Sequence, residues 1–504
     1  MGKHIQRLII YGESLILKMQ NFISKAILAC VGIFTTAVLL LMALYYYQEF
    51  LFKNPLRNII VLFIALIVIA VAGFSLMKIR TDDKNINRIV LFSMIIFFMV
   101  IALIWISLVP KTQISDYGNF WLRLYHYDIG DPLYQTDNDY FSKYAYQTGF
   151  MYYAYLVSKV FGYNIFAIQF LNVIYQGLTL LFTYLLVDKI FNNIKMARLS
   201  VLLLMIDLDW FALNAETSNQ YLGSLLYLIT FYLIIQNKTW TYALAGVTLT
   251  AGCLIRPIGP VIIAGIVVFT LIYLLLKQRN YKASLKVLMT LIIYFVLFSL
   301  AGWGIKASGM NEYGLANNDP EWKFVTGLNY QSVGTYSPDM ERLIDASKSR
   351  ATMSKVEKAA LKDEITYLNE NHAWLKLFIK KTQLLWSSRT LATDGANFSM
   401  NHNQKTVDLV NYVSYLGSVV LIVFSWIGSM SLFKTKFDDN LYLLLLPLMA
   451  FAVVQLIIEV QGRYRIEFLP IISVMASLGI YNTIKVLSGS KLKQKKSFSI
   501  NQID

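Results

Sequence analysis

A chain of 504 residues in which 57% are hydrophobic and only 15% are charged is excluded from the ordinary soluble class, where about a quarter of residues carry charge. It reads as an all-α polytopic membrane protein. Its net charge of +15 is therefore a topology signal first, because Lys and Arg collect in cytoplasmic loops, and nucleic acid is not an expected partner.

A span takes about 20 apolar residues. Twelve are predicted, over 23–46, 57–77, 88–109, 164–187, 198–213, 219–236, 240–255, 258–276, 285–304, 408–430, 440–458 and 466–486. The first is long enough to cross and lacks a small-residue cleavage site, so a cleavable signal peptide is not expected. Residues 1–109 form an N-terminal three-span segment. The connector 110–163 that follows is too long to be a plain loop. Its "YFSKYAYQTGFMYYAYLVSKVFG" suits a helix lying in the membrane interface, with aromatic rings at headgroup depth. With the spans up to 304 it makes the expected catalytic core, 110–304. The seventh and eighth spans are separated only by "RPIG", a tight hairpin. A second long connector, 305–407, holds "SKSRATMSKVEKAALKDEITYLNENH", charged at helical spacing, and "AWLKLFIKKTQLLW", with apolar and basic faces. It is predicted to be a small, mostly helical extracytoplasmic subdomain. Residues 408–504 hold the last spans and a basic tail. Cys30 and Cys253 lie in apolar runs as small hydrophobes, with no disulfide or zinc framework.

The short loops "KIRTDDKNINR", "DKIFNNIKMAR", "LLKQRNYKASLK" and "FKTKF" and the tail "KLKQKK" are rich in Lys and Arg. With twelve spans they fall on one side, which is then cytoplasmic together with both termini. The connectors 110–163 and 305–407, and the turns "NAETSNQ", "RP" and "EVQGRYRIEF", fall outside.

Acids and arginines in or beside spans carry the chemistry, since burying them in lipid costs several kcal/mol without a partner or cavity. Asp116 directly follows an apolar run and is either a helix-end acid or a functional one. Asp128, Asp131, Asp137 and Asp139 behind it read as solvated loop acids. Asp207 and Asp209 lie within the fifth predicted span. Two apart on a helix, they point in different directions; the alternative is a span that ends near Ile206 and leaves both wet. Glu216 lies at the outer turn. Arg256 in "CLIRPIGP" suits a phosphate held bidentately or simple snorkelling to headgroups. Arg463 and Arg465 run against the positive-inside trend, which points to an anionic ligand or to internal pairs with Glu459 and Glu467. His4, His126, His372 and His402 show no zinc spacing, and neither a phosphate loop nor a GxSxG elbow occurs.

Together these segments resemble the GT-C class of polytopic glycosyltransferases, and within it bacterial relatives of the protein mannosyltransferase and aminoarabinose transferase families. The resemblance rests on "ISDYGNFW" followed by a tyrosine-rich amphipathic segment, on "NAETSNQYLG", "CLIRPIGP" and "GRYRIEFLP", and on "GLNYQSVGTYSPD". Two features depart from it. Three spans rather than one precede the first acid-bearing loop, and Asp116 is followed by Tyr117 rather than a second acid.

The resemblance implies a donor sugar on a polyprenyl phosphate, transferred at the outer membrane face by single displacement with inversion. It implies Asp116 as the base, with Glu216 as a second catalytic residue. Arg256, Arg463 and Arg465 would bind the phosphate, with Tyr464 and Glu459 beside them. Glu216, Asp207 or Asp209 would orient sugar or acceptor hydroxyls. No cofactor is required, although a divalent metal between Asp116 and Asp209 or Glu216 is compatible with the scheme. The acceptor is a cell-wall glycopolymer, a teichoic acid, a lipid or a protein. Two rival readings remain from sequence: a lipid-linked oligosaccharide flippase or transporter, and a polysaccharide polymerase or ligase.

Overall fold

The computed structural model describes residues 2–49, 54–134, 139–316, 321–345 and 347–489. Asp137 and the basic tail "KLKQKK" lie outside these residues. Among the described residues the elements are helices and turns, without strands.

The helices in chain order are α1 (Gly2–Glu49), α2 (Pro55–Lys78), α3 (Lys84–Leu108), α4 (Ser115–Asp128), α5 (Thr148–Phe161), α6 (Ile165–Phe191), α7 (Ile194–Met205), α8 (Gln220–Ile235), α9 (Thr239–Ile255), α10 (Gly259–Lys277, its last eight residues π-helical), α11 (Tyr281–Ala307), α12 (Trp322–Leu328), α13 (Arg350–Glu370), α14 (Trp374–Thr382), α15 (Gln404–Leu432), α16 (Leu441–Val454) and α17 (Leu469–Leu487). Eight described segments are long and apolar enough to cross a membrane, and α8, α9 and α16 are shorter apolar helices. The chain is a multi-pass membrane protein; among the described residues eight helices have spanning length and three more are shorter and apolar, against the twelve spans predicted.

The fifth predicted span needs correction. Helix α7 stops at Met205, and the chain continues through a single helical turn, Leu208–Phe211, and a 3₁₀ turn, Ala212–Ala215. The alternative of a span ending near Ile206 is met in its end point but not in its wet acids: Asp207 and Asp209 are fully buried.

Helices α15 and α17 pack closely at the centre. A Cβ on Gly428 would lie 2.0 Å from the Met475 carbonyl oxygen, and one on Gly479 would lie 1.9 Å from that of Phe424. Only glycines allow backbones to approach this closely. Helix α1 lies against α15 through polar links: Thr35 with Ser429 (2.8 Å) and Trp426 Nε1 donating to Thr36 (3.0 Å). Helices α2 and α11 sit at the edge and expose Phe63, Ile67, Leu288 and Phe295, as lipid-facing helices do.

The basic loops gather at one end. Arg198, fully buried, donates to the carbonyls of Leu76, Ile79 and Arg80 at 2.9–3.1 Å and satisfies the open end of α2. Asp438 N donates to Ile190 O (3.1 Å), and Lys277 pairs with Asp439 (2.6 Å). The connectors 110–163 and 305–407 meet at the opposite end, where Lys143 and Tyr144 reach Glu341 at 3.1 and 3.0 Å.

Candidate active site

The segment after α3 is stitched down by Gln113. Its side-chain oxygen accepts from Thr217 N (2.6 Å) and its amide donates to Ala215 O (3.2 Å). Ser115 then takes a left-handed backbone, φ 54°, which costs a residue with a Cβ about 1 kcal/mol. Asp116 follows in the first turn of α4, where the helix dipole favours a negative charge.

Residues 462–468 form a 3₁₀ segment before α17. From it Arg463 pairs with Asp116, whose side chain remains 30% exposed. Asp116 lines a cavity of about 450 Å³ with Asn119, Tyr140, Tyr144, Tyr336 and Glu341. A second cavity of about 360 Å³ holds Arg256 among Pro257, Ile258, Pro260, Phe451 and Ile458. The two cavities share Tyr146, Gln147, Lys323, Glu459 and Tyr464. Tyr464 is the spacer between the arginines: the Arg256 guanidinium lies 4.9 Å from its ring centre and that of Arg463 lies 5.8 Å.

Arg256 owes its place to Pro257, which ends α9, and to Gly223, where a Cβ would come within 2.6 Å of the Arg256 Cβ. Its guanidinium pairs with Glu467, and its carbonyl accepts from Tyr227 Oη at 2.5 Å. Lys323 pairs with Glu459 at 2.5 Å. Burial alone would raise the Glu459 carboxyl, but Lys323 beside it holds it below its ordinary range. Burial likewise works against the Lys323 ammonium, and Glu459 outweighs it and holds the amine well above its ordinary value. Sequence reasoning missed Lys323, Tyr146 and Glu341. A lysine in "DPEWKF" or an acid in "SPDME" carries no local sign of a site.

Asp116, Arg256, Tyr464 and Glu459 line these cavities, and Arg463, behind the lining, joins them through Asp116 and the Tyr464 ring. Arg465, Asp209, Asp207 and Glu216 are not in the lining of either cavity. Arg465 points the other way from Arg463 into a fully buried pair with Asp209. Arg389, a further residue missed in the sequence, adds its Nη1 at 3.4 Å. Ser414 donates to Asp209 (3.1 Å) and Ser418 to Asp207 (2.6 Å). Glu216 is fully buried beneath the segment 112–117. Asn397 donates to its Oε1 (3.1 Å) and to the Thr112 carbonyl (3.2 Å), while Oε2 has no hydrogen-bond partner among the described residues. Burial pushes its carboxyl up to about 8. Among the described residues no group of three or more His, Cys, Asp or Glu is placed to hold a metal ion; Asp209 and Glu216 do not join Asp116.

Residues 149–303 match the sequence model of the dolichyl-phosphate-mannose-protein mannosyltransferase family. The matched stretch includes Asp207, Asp209, Glu216 and Arg256; Asp116 and Arg463 fall outside it. No curated protein matches the chain significantly. Among solved structures, the archaeal oligosaccharyltransferase AglB from Archaeoglobus fulgidus, in complex with an inhibitory peptide and a dolichol-phosphate, is similar at TM-score 0.41 and 12% identity over 80% of this chain. The chain spans 52% of the length of that protein. ArnT from Cupriavidus metallidurans, bound to undecaprenyl phosphate, is similar at TM-score 0.34 and 13% identity, over 78% of this chain and 76% of that one. Through residues 149–303, less than half of its length, this membrane protein is similar to the dolichyl-phosphate-mannose-protein mannosyltransferase family.

Proposed function

We propose that this chain transfers a sugar from a polyprenyl-phosphate carrier to a hydroxyl of an envelope acceptor (a glycopolymer, teichoic acid, lipid or protein) at the outer face of the membrane. One observation carries the reading: Arg256 and Arg463 flank Tyr464 where an apolar cavity meets the polar cavity that holds Asp116. The apolar cavity suits the first prenyl units, with the phosphate at Arg256. The polar cavity suits the acceptor, with its hydroxyl at Asp116.

The acceptor oxygen attacks the anomeric carbon, and the bond from that carbon to the phosphate oxygen breaks. The hydroxyl proton passes to Asp116, and the electron pair leaves on the polyprenyl phosphate. A positioned base contributes about 10²–10⁴-fold, and fixed cations stabilise the charge that develops on the leaving group. One displacement inverts the anomeric centre, and the scheme requires no cofactor. Arg463 holds Asp116 Oδ2 and so aims the carboxylate.

The gathering of basic loops at the end opposite Asp116 supports cytoplasmic termini and an external site. The flippase reading needs charges along a path through the bilayer; Asp207 and Asp209 are instead sealed in a fully buried cluster. The polymerase reading gives the Asp116 loop no part, whereas Asp116 is tied to the late arginine turn. The test is envelope sugar analysis of a deletion strain. A missing sugar, with its polyprenyl-phosphate form accumulating, is expected. Wild type restores the sugar and Asp116→Asn does not; full restoration by Asp116→Asn overturns the assignment of the base.

A further inference from the structure

We infer that Lys323, delivered by the 305–407 connector, is a third cation for the carrier phosphate, and that Glu459 is the counter-ion it releases when the phosphate arrives. This rests on the proposed occupation of the apolar cavity by a polyprenyl phosphate.

Three observations carry it. Lys323 lines both cavities, and it is the one cation in the lining of the Asp116 cavity among the described residues. Its ammonium lies 5.7 and 5.9 Å from the ring centres of Tyr144 and Tyr146, so rings from the 110–163 connector hold it at the junction.

Its position is also built from below. Trp322 and Val325 of α12 are buried. A Cβ on Gly327 would lie 2.3 Å from the Ile458 carbonyl carbon, so the helix rests directly on the backbone beside Glu459. The buried Lys381 clamps that contact by donating to Gly327 O (2.6 Å) and Ile458 O (2.7 Å). Glu459 N donates to Lys323 O (2.8 Å), and Val460 N to Gly334 O (2.8 Å). A purely structural ion pair has no need to stand open to two cavities, yet the Lys323 side chain is 28% exposed.

The chemistry supplies the reason. The donor phosphate is a diester with one negative charge. After the anomeric bond breaks it is a monoester that gains a second charge near neutral pH, its second pKa being about 6. Arg256 and Arg463 already share their charge with Glu467 and Asp116. Lys323 adds a movable point charge at the place where the new charge develops. Released from Lys323, Glu459 retains Gln461 Nε2, which donates to its Oε1 at 2.7 Å.

The experiment measures binding of undecaprenyl phosphate to the full-length protein in detergent, with thermal melting of each variant alongside. Lys323→Met weakens binding about tenfold or more, the scale of a charge-assisted hydrogen bond. Glu459→Gln tightens it, because no counter-ion must be displaced. The double variant Lys323→Met/Glu459→Gln binds as weakly as Lys323→Met. Recovery of wild-type affinity by the double variant, or unchanged affinity in Lys323→Met and Glu459→Gln, overturns the inference. If Arg256→Met abolishes binding while Lys323→Met leaves it intact, this inference alone fails. If wild type binds no better than Arg256→Met, the reading of the apolar cavity fails as well.

Discussion

Two Asp–Arg pairs hang from one 3₁₀ segment and have opposite characters. Arg463 reaches Asp116 at a cavity wall, where the carboxylate keeps access to water. Arg465, two residues later, reaches Asp209 where neither side chain is exposed. Arg465 also donates to the carbonyls of Leu385, Gly462 and Ser388 at 2.7–2.8 Å. The first pair is available to a substrate. The second closes a dry network that ties residues 385–389, the turn after α7 and the start of α17 together. Charge and proximity are shared; access to a cavity separates the two pairs, and under the proposed function it is what makes the first one reactive.

Substitutions can break or sharpen that contrast. The largest expected effect is in Asp116→Asn: sugar transfer falls about 10²–10⁴-fold while thermal melting in detergent stays near wild type. Transfer within a few fold of wild type breaks the assignment. Next is Asp209→Asn, which leaves Arg465 and Arg389 buried without their carboxylate and costs about 3–5 kcal/mol of stability, read as a lower melting temperature and yield. Normal melting with lost transfer moves Asp209 into the reactive class.

Glu216→Gln acts through pH. The folded carboxyl, at about 8, lies above its unfolded value of about 4.3. The folded state therefore holds the extra proton between these values. Its stabilising effect is full below about pH 4 and is lost as pH rises toward 8. The glutamine variant removes that slope from a melting-versus-pH profile, and parallel profiles refute the buried neutral acid. The smallest effect is in Ser115→Gly. It relieves the left-handed backbone at φ 54° but frees the unfolded chain, so melting changes by less than about 1 kcal/mol.

Much of the helix layout was legible because apolar runs of spanning length leave a strong signal. Eleven of the twelve predicted spans overlap an apolar helix, and the run through Ile206 and Asp207 breaks. The early end near Ile206 was one of the two readings open from sequence; what was hidden was that both acids are then buried rather than wet. Their burial comes from α15, whose Ser414 and Ser418 receive the acids. At the site, Arg256, Arg463 and Asp116 stood out as charges beside apolar runs. The separate fates of Arg463 and Arg465 did not. In a 3₁₀ segment with three residues per turn, positions two apart point to different sides, and which side meets a cavity depends on packing from distant parts of the chain. Lys323 was illegible for a plainer reason, since one lysine in a polar connector resembles any other.

The glycine contact between α15 and α17 has a consequence for turnover. With a backbone oxygen within 2.0 Å of where a Cβ would stand on each helix, the pair has no slack for sliding. It forms a fixed anvil that carries the 3₁₀ segment and both of its arginines. Under the proposed function, release of a spent carrier then falls to the other side of the site, where α12 meets residues 458–459 beside that segment through hydrogen bonds to backbone carbonyls and the Lys323–Glu459 pair.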